Sequence, residues 1–159
     1  MAITDKVNLY HSPAFAGQVA DIELCNTVSR TNTGKDVIAY GLGVVRDGEN
    51  GFKLPTTTSK ATDFVGVPVR SLQDITPAGK AFGTNPQFVA SVLTVGAIWV
   101  TVSENVAAGE PACLAIASGT AGKFCKTAGD STAVAIPGAV FRTGAEANGL
   151  ALVAFNIGG

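Results

Sequence analysis

The sequence predicts an all-β protein, a single compact antiparallel barrel or sandwich of about eight strands with an extended N-terminal arm. The first reason is alternation: Ile98, Val100 and Val102 alternate with polar or aromatic residues, so they share one face of a strand. The second is that turn-forming clusters of Gly, Pro, Asn and Asp recur at short intervals. Only residues 14–24 and 107–117 could be forced to a helical period, and each contains Gly or Pro.

Length and composition limit the chain to one domain. It has 159 residues, of which 47% are hydrophobic, with a mean hydropathy of +0.33. Charged residues make up only 14%, against about 25% in ordinary soluble domains. Such a sparsely charged exterior suits a surface covered by other subunits, although a very tightly packed monomer would have a similar composition. We expect a homo-oligomer, either a dimer or a trimer. The net charge of −1 and the scattered Lys and Arg residues indicate no nucleic-acid partner.

Neither a targeting signal nor a membrane span is predicted. The first residues lack the long apolar run of a signal peptide, so we expect the protein to be made and kept in a cytosol. The longest nearly continuous apolar stretch, residues 88–102, falls short of the ~20 residues that a membrane helix needs, and polar residues and Gly interrupt it.

The first twenty residues are expected to form an arm, and residues 21–159 the β-domain. Val7, Leu9, Tyr10 and Phe15 are apolar but follow no clear period, and Ser-Pro and Ala-Gly steps oppose a helix. Burying four such side chains contributes about 1.5–3 kcal/mol each at best, enough to offset the ordering of a short arm. We therefore expect the arm, up to about Gln18, to be ordered only against a neighbouring subunit.

The β-domain divides into strands separated by turn clusters and one long loop at residues 72–87. Pro68 cannot donate a hydrogen bond within a sheet, so its strand should lie at an edge or carry a bulge. The turn at residues 109–111 should send a short strand back after the strand that contains Trp99. The expected strands begin at Asp21 and continue at residues 38–44, 64–71, 90–103, 111–116, 122–126, 133–141 and 150–157.

No residue pattern points to catalysis. His11 is the only histidine and lies in the arm, away from any strand end that would hold it rigidly. Cys25 or Ser12 could pair with His11 in a small hydrolase, but adjacency in sequence does not place two side chains together. The sequence therefore predicts no catalytic residue.

Metal, phosphate and cofactor sites are not predicted either. The acidic pairs Asp21/Glu23 and Asp47/Glu49 lack the six or more oxygen ligands of a Ca²⁺ site. Three Gly-Lys pairs lack the other residues of a phosphate-binding loop, and the glycines near residue 41 open no dinucleotide-binding helix.

The cysteines and the single tryptophan are interpreted as packing residues. Cys25, Cys113 and Cys125 are odd in number and contain no Cys-x-x-Cys, so we expect small buried side chains. A Cys113–Cys125 disulfide is the alternative if a hairpin brings the two together in an oxidising compartment. Trp99 is expected in the core or a subunit contact rather than stacked on carbohydrate.

The order of these elements resembles the bacteriophage capsid cement, or head decoration, proteins. Each piece alone is common in β-proteins, and the resemblance lies in their order along nearly the whole chain. The pieces are PAFAGQVAD (13–21), VIAYGLGVV (37–45), TDFVGVPVRS (62–71), VGAIWVTVSENVAAGEPACL (95–114) and AIPGAVFRTGAEANGLALVAFN (135–156).

The resemblance implies a non-enzymatic virion protein, assembled in the host cytoplasm, with no cofactor. It would sit on the capsid exterior and bridge neighbouring copies of the major capsid protein. The large apolar groups in the arm and the long loop are the expected contacts: Tyr10, Phe15, Phe82 and Phe88. A tail or fibre-associated β-protein is the alternative virion role.

Overall fold

The computed structural model describes residues 14–20, 24–72 and 77–156. Within these residues it is all-β, as predicted, with one short 3₁₀ helix at Ala61–Asp63. Three of its eleven strands are two residues long, which leaves eight longer strands. The strands are β1 (Asn26–Asn32), β2 (Ile38–Ala39), β3 (Val44–Asp47), β4 (Gly51–Lys53), β5 (Phe64–Pro68), β6 (Gly83–Thr84), β7 (Val89–Thr101), β8 (Pro111–Ala115), β9 (Phe124–Cys125), β10 (Ala133–Phe141) and β11 (Leu150–Asn156).

Five strands close into a barrel in the order β1, β4, β3, β5 and β7. The barrel closes because β7 pairs with β5 on one side and with β1 on the other, so that Leu93 faces both Val67 and Thr27. The β1–β4 pair is parallel, and the other pairs of this barrel are antiparallel. The barrel prediction is therefore confirmed, with one parallel pair added.

The same strand β7 starts a second circuit of strands. Its C-terminal part pairs with β11, and the sheet continues through β10, β8 and β9. Val102, directly after β7, forms a parallel bridge to Phe124 of β9, which closes this circuit as well. The thirteen residues of β7 thus connect the two halves of the fold.

The two larger of the three core clusters in the described residues lie on opposite faces of the barrel strands. The smaller of these two is formed by residues of β2 to β5 and β7: Ile38, Val44, Phe52, Val65, Ala90 and Val92. Their chain neighbours Val45, Phe64 and Leu93 belong to the larger cluster, because successive residues of a strand face opposite sides. The Phe64 ring packs edgewise on Phe124 and Phe155, at centroid distances of 6.1 and 5.9 Å, and so joins the barrel to the second circuit.

Strand boundaries in the first half differ from the sequence prediction. The strand expected from Asp21 begins only at Asn26, because Leu24 adopts a left-handed conformation (φ 49°) and its side chain is 87% exposed. Residues 21–23 lie outside the described residues. The strand expected over residues 38–44 is split by a turn at Tyr40 and Gly41, where Gly41 has a φ of +83°.

Two expected pairings also differ. The strand after the turn at residues 109–111 does not return against β7: β8 pairs with β10 and β9, and the long β11 takes the edge of β7 instead. The strand β5 is not an edge, since it lies between β3 and β7. The alternative prediction, a β-bulge in this strand, is confirmed. Val44 pairs with Gly66 but Val45 pairs with Phe64, so one residue of β5 is left without a partner.

The end of the expected arm is part of the fold. The Gly17 N–H donates to the Trp99 carbonyl (2.8 Å), and the Gly17 carbonyl accepts from the Arg70 N–H (2.8 Å). The Ala20 N–H donates to the Ala97 carbonyl (2.9 Å). The expectation that a neighbouring subunit must order this region is thus wrong for residues 14–18, because β7 of the same chain orders them. Val7, Leu9 and Tyr10 lie outside the described residues, and the boundary at residue 20 stays a prediction.

The contact between β5 and β7 gives a first testable prediction. A Cβ at Gly66, whose φ is +149°, would overlap the carbonyl oxygen of Leu93. Gly66→Ala should therefore lower the free energy of unfolding by about 2–4 kcal/mol. The control is Gly138→Ala, where φ is +74° but nothing lies within 4 Å, with an expected loss of about 1 kcal/mol. Denaturant unfolding of both variants measures the difference, and equal losses would contradict the role given to this close approach.

A second prediction concerns acid stability at the β3–β4 hairpin. The Lys53 ammonium (2.7 Å) and the Thr33 hydroxyl (2.6 Å) both donate to the Asp47 carboxylate, and these hydrogen bonds, Lys53 first, lower the pKa of Asp47 below its ordinary value of 3.8. A lowered folded-state pKa stabilises the fold above the unfolded-state value, and this stabilisation is lost as the pH falls through the folded-state value.

Asp47→Asn should then lower the free energy of unfolding at pH 7 by about 0.5–1 kcal/mol, since the pair is half-exposed. The difference from the wild type should vanish below the folded-state pKa. Lys53→Gln breaks the same pair and should cost about as much at pH 7. Denaturant unfolding between pH 2 and pH 7 tests this, and a difference that persists at pH 2 would refute it.

Candidate functional site

Three of the four expected contact residues lie in the described part of the chain, and the fold brings two of them together. Phe15, in the segment before β1, is 54% exposed, and Phe82, just before β6, is half-buried. Phe88 is 57% exposed, but it lies apart from them beside Val89 at the start of β7. Tyr10 lies outside the described residues.

Arg70 joins the two aromatic rings. Its guanidinium carbon lies 4.7 Å from the ring centroid of Phe15 and 4.7 Å from that of Phe82. These are cation–π distances, and the planar guanidinium group is well suited to stacking on rings. Phe82 also packs edgewise on Tyr40 with a centroid distance of 5.2 Å, so its ring is held from a second side. Phe82 is therefore partly used within the protein rather than fully available to a partner.

An open groove of about 410 Å³ lies next to this stack. One wall comes from the segment before β1, which the backbone hydrogen bonds to Ala97 and Trp99 hold in place. The other wall follows β5, where the Val69 N–H donates to the Ser91 carbonyl (2.8 Å). The lining residues are Phe15, Gly17, Gln18, Val19, Val69, Arg70 and Leu72.

Sequence reasoning missed Arg70 and Leu72. Leu72 is 83% exposed, which is unusual for a leucine, and it was assigned only to the long loop. The available signal was a single arginine ending the apolar strand FVGVPVR, close to a leucine in a segment without periodicity. That pattern alone does not reveal that the rings of Phe15 and Phe82 both contact Arg70.

The buried cysteines lie opposite each other across β8 and β9. Cys113 and Cys125 are register partners, and both thiols are free. Burial is the first cause that raises the pKa of each thiol, for Cys125 to about 12, so neither is poised as a thiolate nucleophile. The expectation of buried cysteines holds for these two. It is wrong for Cys25, which is exposed because the chain turns there before entering β1.

Most of the remaining sequence candidates for catalysis or metal binding lie in parts of the chain that the structure does not describe. His11 and Ser12 lie outside the described residues, as do Asp21 and Glu23. Within the described ranges no group of three or more His, Cys, Asp or Glu side chains could hold a metal ion. No helix in those ranges is long and apolar enough to cross a membrane. Trp99 is half-buried within β7.

Comparison with known proteins gives a family match over nearly the whole chain. The family described as structural cement protein (E217 gp24/Pam3 gp6) matches residues 3–156. A chain from the capsid of Myoviridae phage XM1 has 24% sequence identity and a TM-score of 0.75, with 98% of each chain covered, so it shares the fold. The head fibre gp8.5 N base of bacteriophage phi29 is more distant, with 14% identity and a TM-score of 0.39 over 83% of this chain and 96% of that one.

No curated protein matches the chain significantly. The family match and the shared β-fold agree with the resemblance found in the sequence. The chain therefore belongs to the family of phage structural cement proteins and is a structural protein of the phage particle.

Proposed function

We propose that this protein binds the exterior of an icosahedral phage capsid and cements neighbouring copies of the major capsid protein, without catalysing a reaction. The observation that carries the proposal is the structural cement family match over residues 3–156. The fold supports it, because closed circuits of strands leave few free sheet edges and form a rigid body suited to bridging other subunits.

We propose that the protein contacts the capsid through the groove and the aromatic rings beside it. Phe15 offers an exposed ring, and Arg70 fixes its position relative to Phe82. Phe88 with Val89 is a second exposed apolar patch, and Tyr10 is proposed to add to the contact from the arm. Large apolar groups of this kind are the usual anchors of protein interfaces.

Cementing by contact area needs neither a cofactor nor a metal. An interface of standard size buries ~1,600 Å², and many copies on one shell add such interfaces together. The low charged fraction of 14% suits a surface that other subunits cover, including further copies of this chain in a dimer or trimer. With a net charge of −1, the protein is not expected to bind nucleic acid or a membrane. Assembly would take place in the host cytoplasm.

The proposal predicts that the double substitution Phe15→Ser, Phe82→Ser weakens attachment to the capsid. Full burial of such a side chain contributes about 1.5–3 kcal/mol. Because both rings are already partly covered in the free protein, the two losses together should come to about one full side chain and lower the affinity about tenfold or more. Purified variant would be added to phage particles that lack this protein, and occupancy and the temperature of DNA release measured. Val140→Ser, which removes an exposed apolar side chain of β10, is the control and should bind as the wild type does.

Circular dichroism and thermal unfolding of the free variants would show that they are folded. EDTA should change neither occupancy nor heat resistance. If EDTA releases the protein, or if particles without it release DNA at the same temperature, the proposal is wrong. Binding confined to the tail or fibres would favour the alternative virion role.

A further inference from the structure

We propose that the groove lined by Phe15, Arg70 and Leu72 binds an extended segment of the major capsid protein that places a carboxylate beside an apolar side chain. The proposal rests on the proposed function for the identity of the partner. It goes further by defining the chemistry that the groove recognises and the kind of segment that it binds.

Exposed apolar side chains converge in the groove. Phe15 is 54% exposed and Leu72 is 83% exposed, and both line this one groove. Val19 and Val69, which are half-buried, also line it. Single exposed apolar residues are common on protein surfaces, but a cluster in a concave site marks a binding surface. An apolar side chain of a partner would therefore be removed from water here.

Arg70 is the charged group that the groove offers to a partner. The ring centroids of Phe15 and Phe82 both lie 4.7 Å from its guanidinium carbon. Contacts with ring faces use none of the five N–H donors of the guanidinium group, so these remain able to donate. In the described parts of the chain, no carboxylate forms an ion pair with Arg70. A carboxylate matches a guanidinium fork with two parallel hydrogen bonds, and stacking holds the fork in place before the partner arrives.

Gln18 adds a second donor to the groove. Its side-chain oxygen accepts the Phe15 N–H at 3.0 Å, which orients the amide and leaves the NH₂ group to donate. The charged and amide side chains of the lining thus offer donors, which suits an acidic side chain and the backbone carbonyls of an extended segment. The volume of about 410 Å³ is in the range that holds a few side chains rather than a folded domain.

The test is binding of purified protein to phage particles that lack it, using matched variants. Arg70→Gln and Leu72→Ser should each weaken binding about tenfold or more. Arg70→Lys should also weaken binding severalfold, because an ammonium group cannot form the bidentate contact. The controls Arg142→Gln and Leu24→Ser remove an exposed arginine and an exposed leucine outside the groove, and should change binding less than about twofold.

The salt dependence of binding and cross-linking distinguish failure of this inference from failure of the proposed function. Wild-type binding should weaken with added salt, and that of Arg70→Gln should weaken less. A photo-reactive residue in place of Leu72 should cross-link to a segment of the major capsid protein that contains Asp or Glu. A cross-link only to another copy of this chain, or wild-type affinity in Arg70→Gln, would overturn this inference and leave the proposed function standing. Failure of the wild type to bind the particles would overturn the proposed function itself.

Discussion

The structure depends on one strand, β7, being shared by the two halves of the fold. The first half of β7 closes the barrel by pairing with β1 and β5, and the second half pairs with β11. The same strand sets the walls of the groove: Trp99 holds Gly17 on one side, and Ser91 holds Val69 on the other. A hydrogen bond from Arg70 to Gly17 then joins the two walls directly. A change in the path of β7 would therefore move both the core and the binding face.

The groove combines rigidity with a small number of polar groups. The Arg70 backbone is held by its hydrogen bond to Gly17, and its guanidinium carbon lies 4.7 Å from the centroids of both rings. Contacts that restrain a side chain before binding reduce the entropy that it loses on binding. A protein with few charges gains specificity from one well-placed cation, because a partner without a matching carboxylate would leave that cation desolvated and unpaired. Under the proposed function, the strength of attachment to a shell would come from repetition over many copies rather than from any single contact.

The sequence predicts those strands that a local pattern of residues marks. It does not predict the features that depend on pairing between residues far apart in the chain. The β10 strand has the predicted bounds, and β11 begins at the predicted residue and continues to Asn156, where the described residues end. A turn cluster precedes each of these strands. β2 is separated from β3 because Gly41 adopts a left-handed conformation, and β1 begins after Asp21 because Leu24 does so too. The alternation of apolar and polar residues does not reveal such conformations. Phe15 and Phe82 were singled out as large apolar groups in irregular segments, but their convergence on Arg70 is tertiary and no local pattern encodes it.

The proposed location and orientation of this protein on the phage particle can both be seen directly. A cryo-electron microscopy reconstruction of the phage particle, at a resolution that shows side chains, is the most direct measurement. We predict density for this chain on the outside of the shell, with the groove at Arg70 turned toward the major capsid protein and filled by one of its segments. Density for this chain in the tail, or on the shell with the groove facing solvent, would contradict it.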